Sequence, residues 1–293
     1  MNSKIIILWA LCLLPTLASA QIVVAIGSAG AARKPPHVID TCTYRILYEV
    51  KSLIDLERPD RIMEELMALE IGQQQISKYY SENARIMDST MRDQMARSAG
   101  GNVNFRSTDR RPNQGMTQAV IFKNYPAQKI AVSERLVMDT YLYEEDMYSM
   151  NWQILPDTLR ILSYLCQKAE VDFRGRHYEA WFSPEIPLSE GPWKFNGLPG
   201  LILRVQDDQE HYRFECVGIA ANTSPITRED VEYFKASRKD VEKVRKRFQE
   251  DPEAALKAAM PNSNIRINRT DENGMPVASG QRMNIKYNPM ELD

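Results

Sequence analysis

Between residues 159 and 219 the chain has little choice but to fold back and forth. "LRILSYLCQKAEVDF" and "RHYEAWF" are separated only by Arg174 and Gly175, and "LPGLILRVQ" and "HYRFECVGI" only by "DDQE". Links this short return a strand antiparallel to its neighbour, whereas a parallel neighbour needs a crossover of a dozen or more residues. Gly175 supplies the positive φ that a two-residue hairpin demands. Four antiparallel strands in series, a meander, are the predicted centre of the fold.

The flanks extend the pattern. In "CTYRILYEVKSL" the residues Cys42, Tyr44, Ile46, Tyr48 and Val50 alternate with Thr43, Arg45, Leu47, Glu49 and Lys51, the period of a half-buried strand. "LMALEIG", "QAVIFKNY", "QKIAVSE" and "LVMDTYLYEE" read as further strands. Met87, Met91 and Met95 recur at helical spacing between Ser81, a candidate cap, and the stop at Gly100 and Gly101. That predicts a helix near 82–98. Val231, Phe234, Val241, Val244 and Phe248 predict a second helix from Thr227 to Phe248, capped by Ser224 or Thr227. Asp251 and Pro252 open a third, running to Met260, because Pro is at home in the first turn. The expected fold is mainly β (α+β): a curved antiparallel sheet or open half-barrel over 37–224, with an early helix. A helical C-terminal segment at 225–260 packs on it, and an extended tail follows at 261–293.

One stretch breaks the usual grammar of loops. "GPWKFNGLPGLIL", residues 191–203, is rich in Gly and Pro yet otherwise mostly apolar. Gly191 and Pro192 form a turn signal. Trp193 and Phe195 are expected on one side of extended chain, with Lys194 and Asn196 on the other. Pro199 and Gly200 match a type II turn, with positive φ at the glycine. Leu201, Ile202 and Leu203 do not alternate and read as a strand buried on both faces. The stretch is therefore expected to be a buried crossing that re-enters the sheet and closes one end of the core.

These residues carry a resemblance. "GLPGLI" at 197–202, preceded by "AWFSPEIPLSEGPWKF", resembles the signature of the GLPGLI family of exported bacterial proteins. The likeness extends to "LEIGQQQISKYYS", "YLCQKAEVDFRGR" and "YNPMELD". Its motif residues here are Gly191, Pro192, Trp193, Gly197, Leu198, Pro199, Gly200, Leu201 and Ile202. The resemblance implies an exported protein of double-membraned bacteria and brings no catalytic residues with it. The expected sheet also looks similar to the half-barrels of periplasmic lipoprotein carriers, an analogy of fold that settles no function.

The N-terminus agrees with export. Lys4, the apolar run "IIILWALCLL" and the small residues Ala18, Ser19 and Ala20 read as a signal peptide over 1–20. The run is about half of the roughly 20 residues that a bilayer span requires. Residues 21–36 then form a flexible lead-in, and no transmembrane anchor is expected after cleavage. The expected location is the periplasm or the outside. With 37 basic and 39 acidic residues, the chain lacks the clustered positive charge of a nucleic-acid binder. Past the signal it keeps Cys42, Cys166 and Cys216. A 166–216 disulfide and three buried free thiols are both compatible with export.

Chemistry is sparse. His37, His177 and His211 show no HxxxH spacing, there is no CxxC, and no G-x-S-x-G elbow or P-loop is present. No metal, no cofactor and no catalytic residue is predicted. The aromatic set around the meander either fills the core or leaves an apolar concave face for a ligand. On the second reading Trp181, Trp193 and Phe195 line the site and Arg174 and Arg176 form a polar rim. The leading expectation is a non-catalytic protein that binds a hydrophobic small molecule or an envelope partner. The alternatives are an accessory subunit of an outer-membrane transport system and a hydrolase with an unrecognised site.

Overall fold

The computed structural model describes residues 34–97, 115–259, 269–270, 276–277 and 286–293. The signal peptide expected at 1–20, the expected lead-in as far as residue 33, residues 98–114 and most of the expected tail before residue 286 lie outside the described residues. In chain order the elements are β1 (His37–Leu53), β2 (Ile62–Gly72), β3 (Ser77–Ser81), α1 (Glu82–Arg97), β4 (Ala119–Lys123), β5 (Lys129–Leu136) and β6 (Asp139–Asp146). They continue with β7 (Gln153–Ile161), β8 (Tyr164–Phe173), β9 (Arg176–Ser183), β10 (Leu201–Asp207), β11 (Tyr212–Ala221), β12 (Pro225–Arg228) and β13 (Phe234–Lys235). The helices α2 (Arg238–Glu250) and α3 (Pro252–Ala259) follow.

These thirteen strands join one open sheet in the order β13-β6-β5-β4-β3-β2-β1-β11-β10-β9-β8-β7, with β12 on β1, and Arg269–Thr270 pairs separately with Pro276–Val277. Pairing is antiparallel except for β13 on β6. The fold is mainly β, with an early helix and a helical segment near the end. Alternation works as the sequence predicts: Ile46, Tyr48 and Val50 of β1 are buried, while Glu49 and Lys51 face solvent. The Ser81 hydroxyl accepts the Ala84 N–H at 3.0 Å, capping α1.

The sheet is strongly curled. β6 and β8 stand nine steps apart in the strand order, roughly 43 Å if the sheet were flat at about 4.8 Å per step. Yet Tyr148, just past β6, meets Phe173 of β8 with ring centroids 5.3 Å apart. One hydrophobic core therefore takes in Tyr143 of β6, Ile121 of β4, Tyr48 of β1 and Phe173 of β8. A second, smaller cluster of Phe122, Ala131 and Leu142 sits on the other face, packed by Tyr125 and Tyr233.

Several expectations are corrected. "LRILSYLCQKAEVDF" is not one strand, because the chain reverses at Leu162 (φ +55°) and splits it between β7 and β8. The meander thus has five strands. β3, a short strand with Tyr79 and Tyr80 buried, adds to the expected ones. The helix expected from Thr227 begins only at Arg238, with Ser237 as its cap, because β12 pairs with β1 and β13 with β6. Phe234, which fits helical spacing, is 49 % exposed on β13. Strand pairing overrides a pattern that an isolated segment would use for helix. The three described cysteines are free buried thiols, each donating to a backbone carbonyl: Tyr44, Tyr164 and Gly218 respectively.

Candidate functional site

The crossover between β9 and β10 does not run extended. It turns at Pro192, whose carbonyl accepts the Phe195 N–H at 3.0 Å. Trp193 takes φ +50° inside that turn, a conformation that costs a bulky residue energy and persists only where packing dictates it. Lys194 and Asn196 are buried as well as Trp193 and Phe195, so neither pair faces solvent. Phe195 has no exposure and lies among the rings of Tyr178, Trp193 and Phe214 at 4.8, 5.2 and 6.1 Å. The hollow of the curled sheet is filled by the chain's own crossover.

The glycines serve different ends. Positive φ falls on Gly197 (+94°), not on Gly200. At Gly200 the requirement is space: a Cβ would stand 2.2 Å from the Ser183 carbonyl oxygen. The type II expectation for Pro199 and Gly200 is therefore replaced by a close backbone approach. Gly175 has φ +78° and Arg174 φ +52°, the paired left-handed residues of a type I′ hairpin. Leu201, Ile202 and Leu203 are all fully buried.

Of the aromatic and basic residues singled out in the sequence, the structure brings Trp193 and Phe195 into ring contact, while Trp181, also buried, joins the same hydrophobic core from β9. Trp181 lies between Lys168 and Arg204 in the strand register and donates to Glu179 Oε1 at 2.8 Å. It alternates with Tyr178, Ala180 and Phe182 and so reaches that core from the opposite face of β9. Arg174 and Arg176 are drawn into a charged cluster that grips residues 286–293.

That cluster was not legible in advance. Lys194, 1 % exposed, donates to Glu145 Oε2 and Glu291 Oε1, both at 2.6 Å. Arg174 reaches Glu145 at 2.7 Å and Asp293 at 3.1 Å, and also bonds the Tyr148 hydroxyl. Arg238, from the start of α2, meets Asp293 at 2.9 Å and Glu291 at 3.4 Å. Arg176 forms a buried pair with Asp207 at 2.8 Å. Burial works to raise the Glu145 pKa, but the Lys194 charge and hydrogen bond, with Tyr148 and Arg174, hold it below the ordinary carboxyl value. Four cations meet four anions, the condition under which buried charges are tolerated.

A second feature lies outside the sheet. Between the β5–β6 turn and the α2–α3 elbow runs an open groove of about 440 Å³, with Val137, Tyr141, Val244, Ala254 and Ala255 among its apolar lining and Asp139, Arg247, Glu250 and Asp251 at its polar positions. The size is that of a ligand site. α2 is fixed above the sheet by Val241 and Phe248, which are buried, and by Arg245 on Glu134 of β5. The elbow is fixed by Asp251, whose carboxylate accepts the Ala254 N–H at 2.9 Å.

Among the described residues no three metal-ligating side chains converge. His177 bonds Asp172 at 2.7 Å on the surface, while His211 lies 3.4 Å from Arg176. No described helix is long and apolar enough to cross a membrane.

A protein-family profile described as a protein of unknown function (Porph_ging) matches residues 174–204. The match starts at the β8–β9 turn, includes the whole crossover, and ends inside β10. Two solved structures are similar to part of it. "Structure of PNGF-II in C2 space group" has a TM-score of 0.48 at 11 % identity, over 71 % of this chain and 34 % of that one. "Structure of PNGF-II in P21 space group" has a TM-score of 0.46 with the same identity and coverage. The chain thus spans about a third of the length of these structures. No curated protein matches it.

Proposed function

We propose that this is a non-catalytic binding protein of the bacterial envelope, of the exported GLPGLI type. It receives a protein partner in the groove beneath α2 and α3, not a hydrophobic small molecule inside the sheet. The observation that carries this reading is the occupied hollow. Phe195 has no exposure and Trp193 only 9 %, so the two aromatics best placed to line an internal site are core. The groove beside the helices stays open.

The groove's chemistry narrows the partner. Asp139, Glu250 and Asp251 outnumber Arg247 around an apolar floor, which favours an apolar side chain flanked by basic residues. Export and family membership rest on Lys4, the apolar run behind it, the small residues before Gln21, and the "GLPGLI" motif within the matched region.

Purification from native envelopes, followed by mass spectrometry, tests the reading. Wild type is expected to bring down a basic protein that is lost on Ala255→Trp, which fills the groove, and retained on Phe195→Leu. A bound lipid that survives Ala255→Trp and disappears with Phe195→Leu would restore the internal site and overturn the proposal.

A further inference from the structure

Residues 286–293 are held in the way that an extended peptide is held by a receptor. Main-chain bonds fix the segment: Leu56 N–H donates to the Lys286 carbonyl at 3.0 Å, Asn288 N–H to the Ile54 carbonyl at 2.9 Å, and Leu292 N–H to the Arg174 carbonyl at 2.9 Å. The Arg176 guanidinium donates to Asn288 Oδ1 and to the Pro289 carbonyl, each at 2.6 Å. Asn288 alone among these eight residues is buried, and Leu292 is 55 % exposed. A segment built into a core hides apolar side chains. This one fully hides only an amide and leaves a leucine in water; Met290 packs on the core from a half-buried position, and main-chain and charged bonds hold the rest.

The charges around it are set for an acidic occupant. Arg174, Arg176, Lys194 and Arg238 are balanced by Glu145, Asp207, Glu291 and Asp293. Two of those four anions ride on the segment itself. Without it the clamp keeps four cations against two anions, a net of two positive charges, and attracts an acidic strand. The turn is also shaped for the segment: a Cβ on Gly175 would come within 2.9 Å of Leu292 Cβ.

We infer that the surface formed by Arg174, Arg176, Lys194 and Arg238 is a recognition site for an extended acidic peptide, filled by the chain's own residues 286–293, and that the same segment of a second copy can take that place. Main-chain capture with charge-matched side chains is a mode that needs no covalent continuity between receptor and peptide. A second copy is the occupant because it carries the complementary carboxylates in the right order. The site is separate from the α2–α3 groove and does not depend on the function proposed for it.

Two full-length variants test this. Glu291→Lys/Asp293→Lys repels its own segment and keeps the clamp, while Arg174→Glu/Arg238→Glu spoils the clamp and keeps the segment. Each alone should sediment as a monomer, and their mixture should form a heterodimer. A fluorescent peptide of residues 286–293 should bind the first variant at least about tenfold more tightly than wild type, whose site is filled. A folded first variant that neither binds the peptide nor pairs with the second would overturn the inference. If that variant does not fold, hydrogen exchange on unaltered protein decides. The Asn288 and Leu292 amides should exchange about a hundredfold or more faster than that of Ile46, reporting local release. Exchange of all three at the same rate would show the segment to be an inseparable part of the fold and would overturn it.

Discussion

Lys123 of β4 donates to the Gly191 carbonyl at 2.7 Å and to the Phe195 carbonyl at 3.1 Å, tying one side of the curled sheet to the crossover that fills it. Its ammonium also lies 2.5 Å from Glu190 Oε2, and its side chain has no exposure. Burial pulls the lysine pKa down, while Glu190 acts in the opposite sense. Lys123→Met would leave two inward carbonyls without a donor and Glu190 without its cation. The expected loss is about 3–5 kcal/mol, the usual effect of breaking a buried pair from one side, read from urea unfolding. Lys123→Met/Glu190→Gln should recover part of that loss, because no lone charge remains. A single variant as stable as wild type would remove Lys123 from the account of how the crossover is held.

What could be read in advance follows from where the information lies. Period-two alternation in β1 and the Arg174–Gly175 turn are local, and both appear in the structure. Lys123 sits in "IFKNY", which reads as a strand end with a solvated lysine. Its burial depends on a crossover some 70 residues away, as the separations of 68 and 72 to its acceptors show. Arg174 and Arg176 look like solubilising surface charge until residues 286–293 are placed against them. The helix expected from Thr227 gives way to β12 for the same reason: the strand's partner, the start of β1, is remote, and its neighbours carry apolar residues at helical spacing. Gly200 stands out beside Pro199, but sequence does not distinguish a positive φ from a close approach by Ser183.

The two glycines of "GLPG" should respond differently to alanine. At Gly197 a Cβ meets only the Trp152 ring at 3.9 Å, so the cost is that of a left-handed backbone, about 1–2 kcal/mol. At Gly200 it meets the Ser183 carbonyl oxygen at 2.2 Å, and no rotamer can relieve a clash with backbone. Thermal unfolding should therefore rank Gly200→Ala as the more damaging change. The reverse order would place the strain at the wrong residue.

Acid should loosen the cluster around residues 286–293. Glu145 is held below the ordinary value of 4.5, and Asp293 below 3.8, although burial opposes both shifts. Lys194, followed by Tyr148 and Arg174, opposes burial at Glu145, and Arg174 does so at Asp293. The unfolded chain takes up protons first as the pH drops, so this stabilisation is complete above the unfolded value. It is then lost as the pH falls through the lowered folded values. Urea midpoints should be flat from neutrality to about 5 and decline below that. Glu145→Gln should be less stable at neutral pH and show a shallower decline. An equally steep decline in that variant would assign the acid response to other carboxylates.

The central claim is that the hollow of the sheet is closed by Trp193 and Phe195 and that binding takes place beside α2 and α3. Photo-crosslinking in intact cells, with benzoylphenylalanine replacing the exposed Arg247 at the groove's polar edge in one variant and Trp193 in another, tests it most directly. Intermolecular adducts from position 247, and only intramolecular ones from position 193, are the predicted result. Adducts to an outside molecule from position 193, with none from 247, would contradict it.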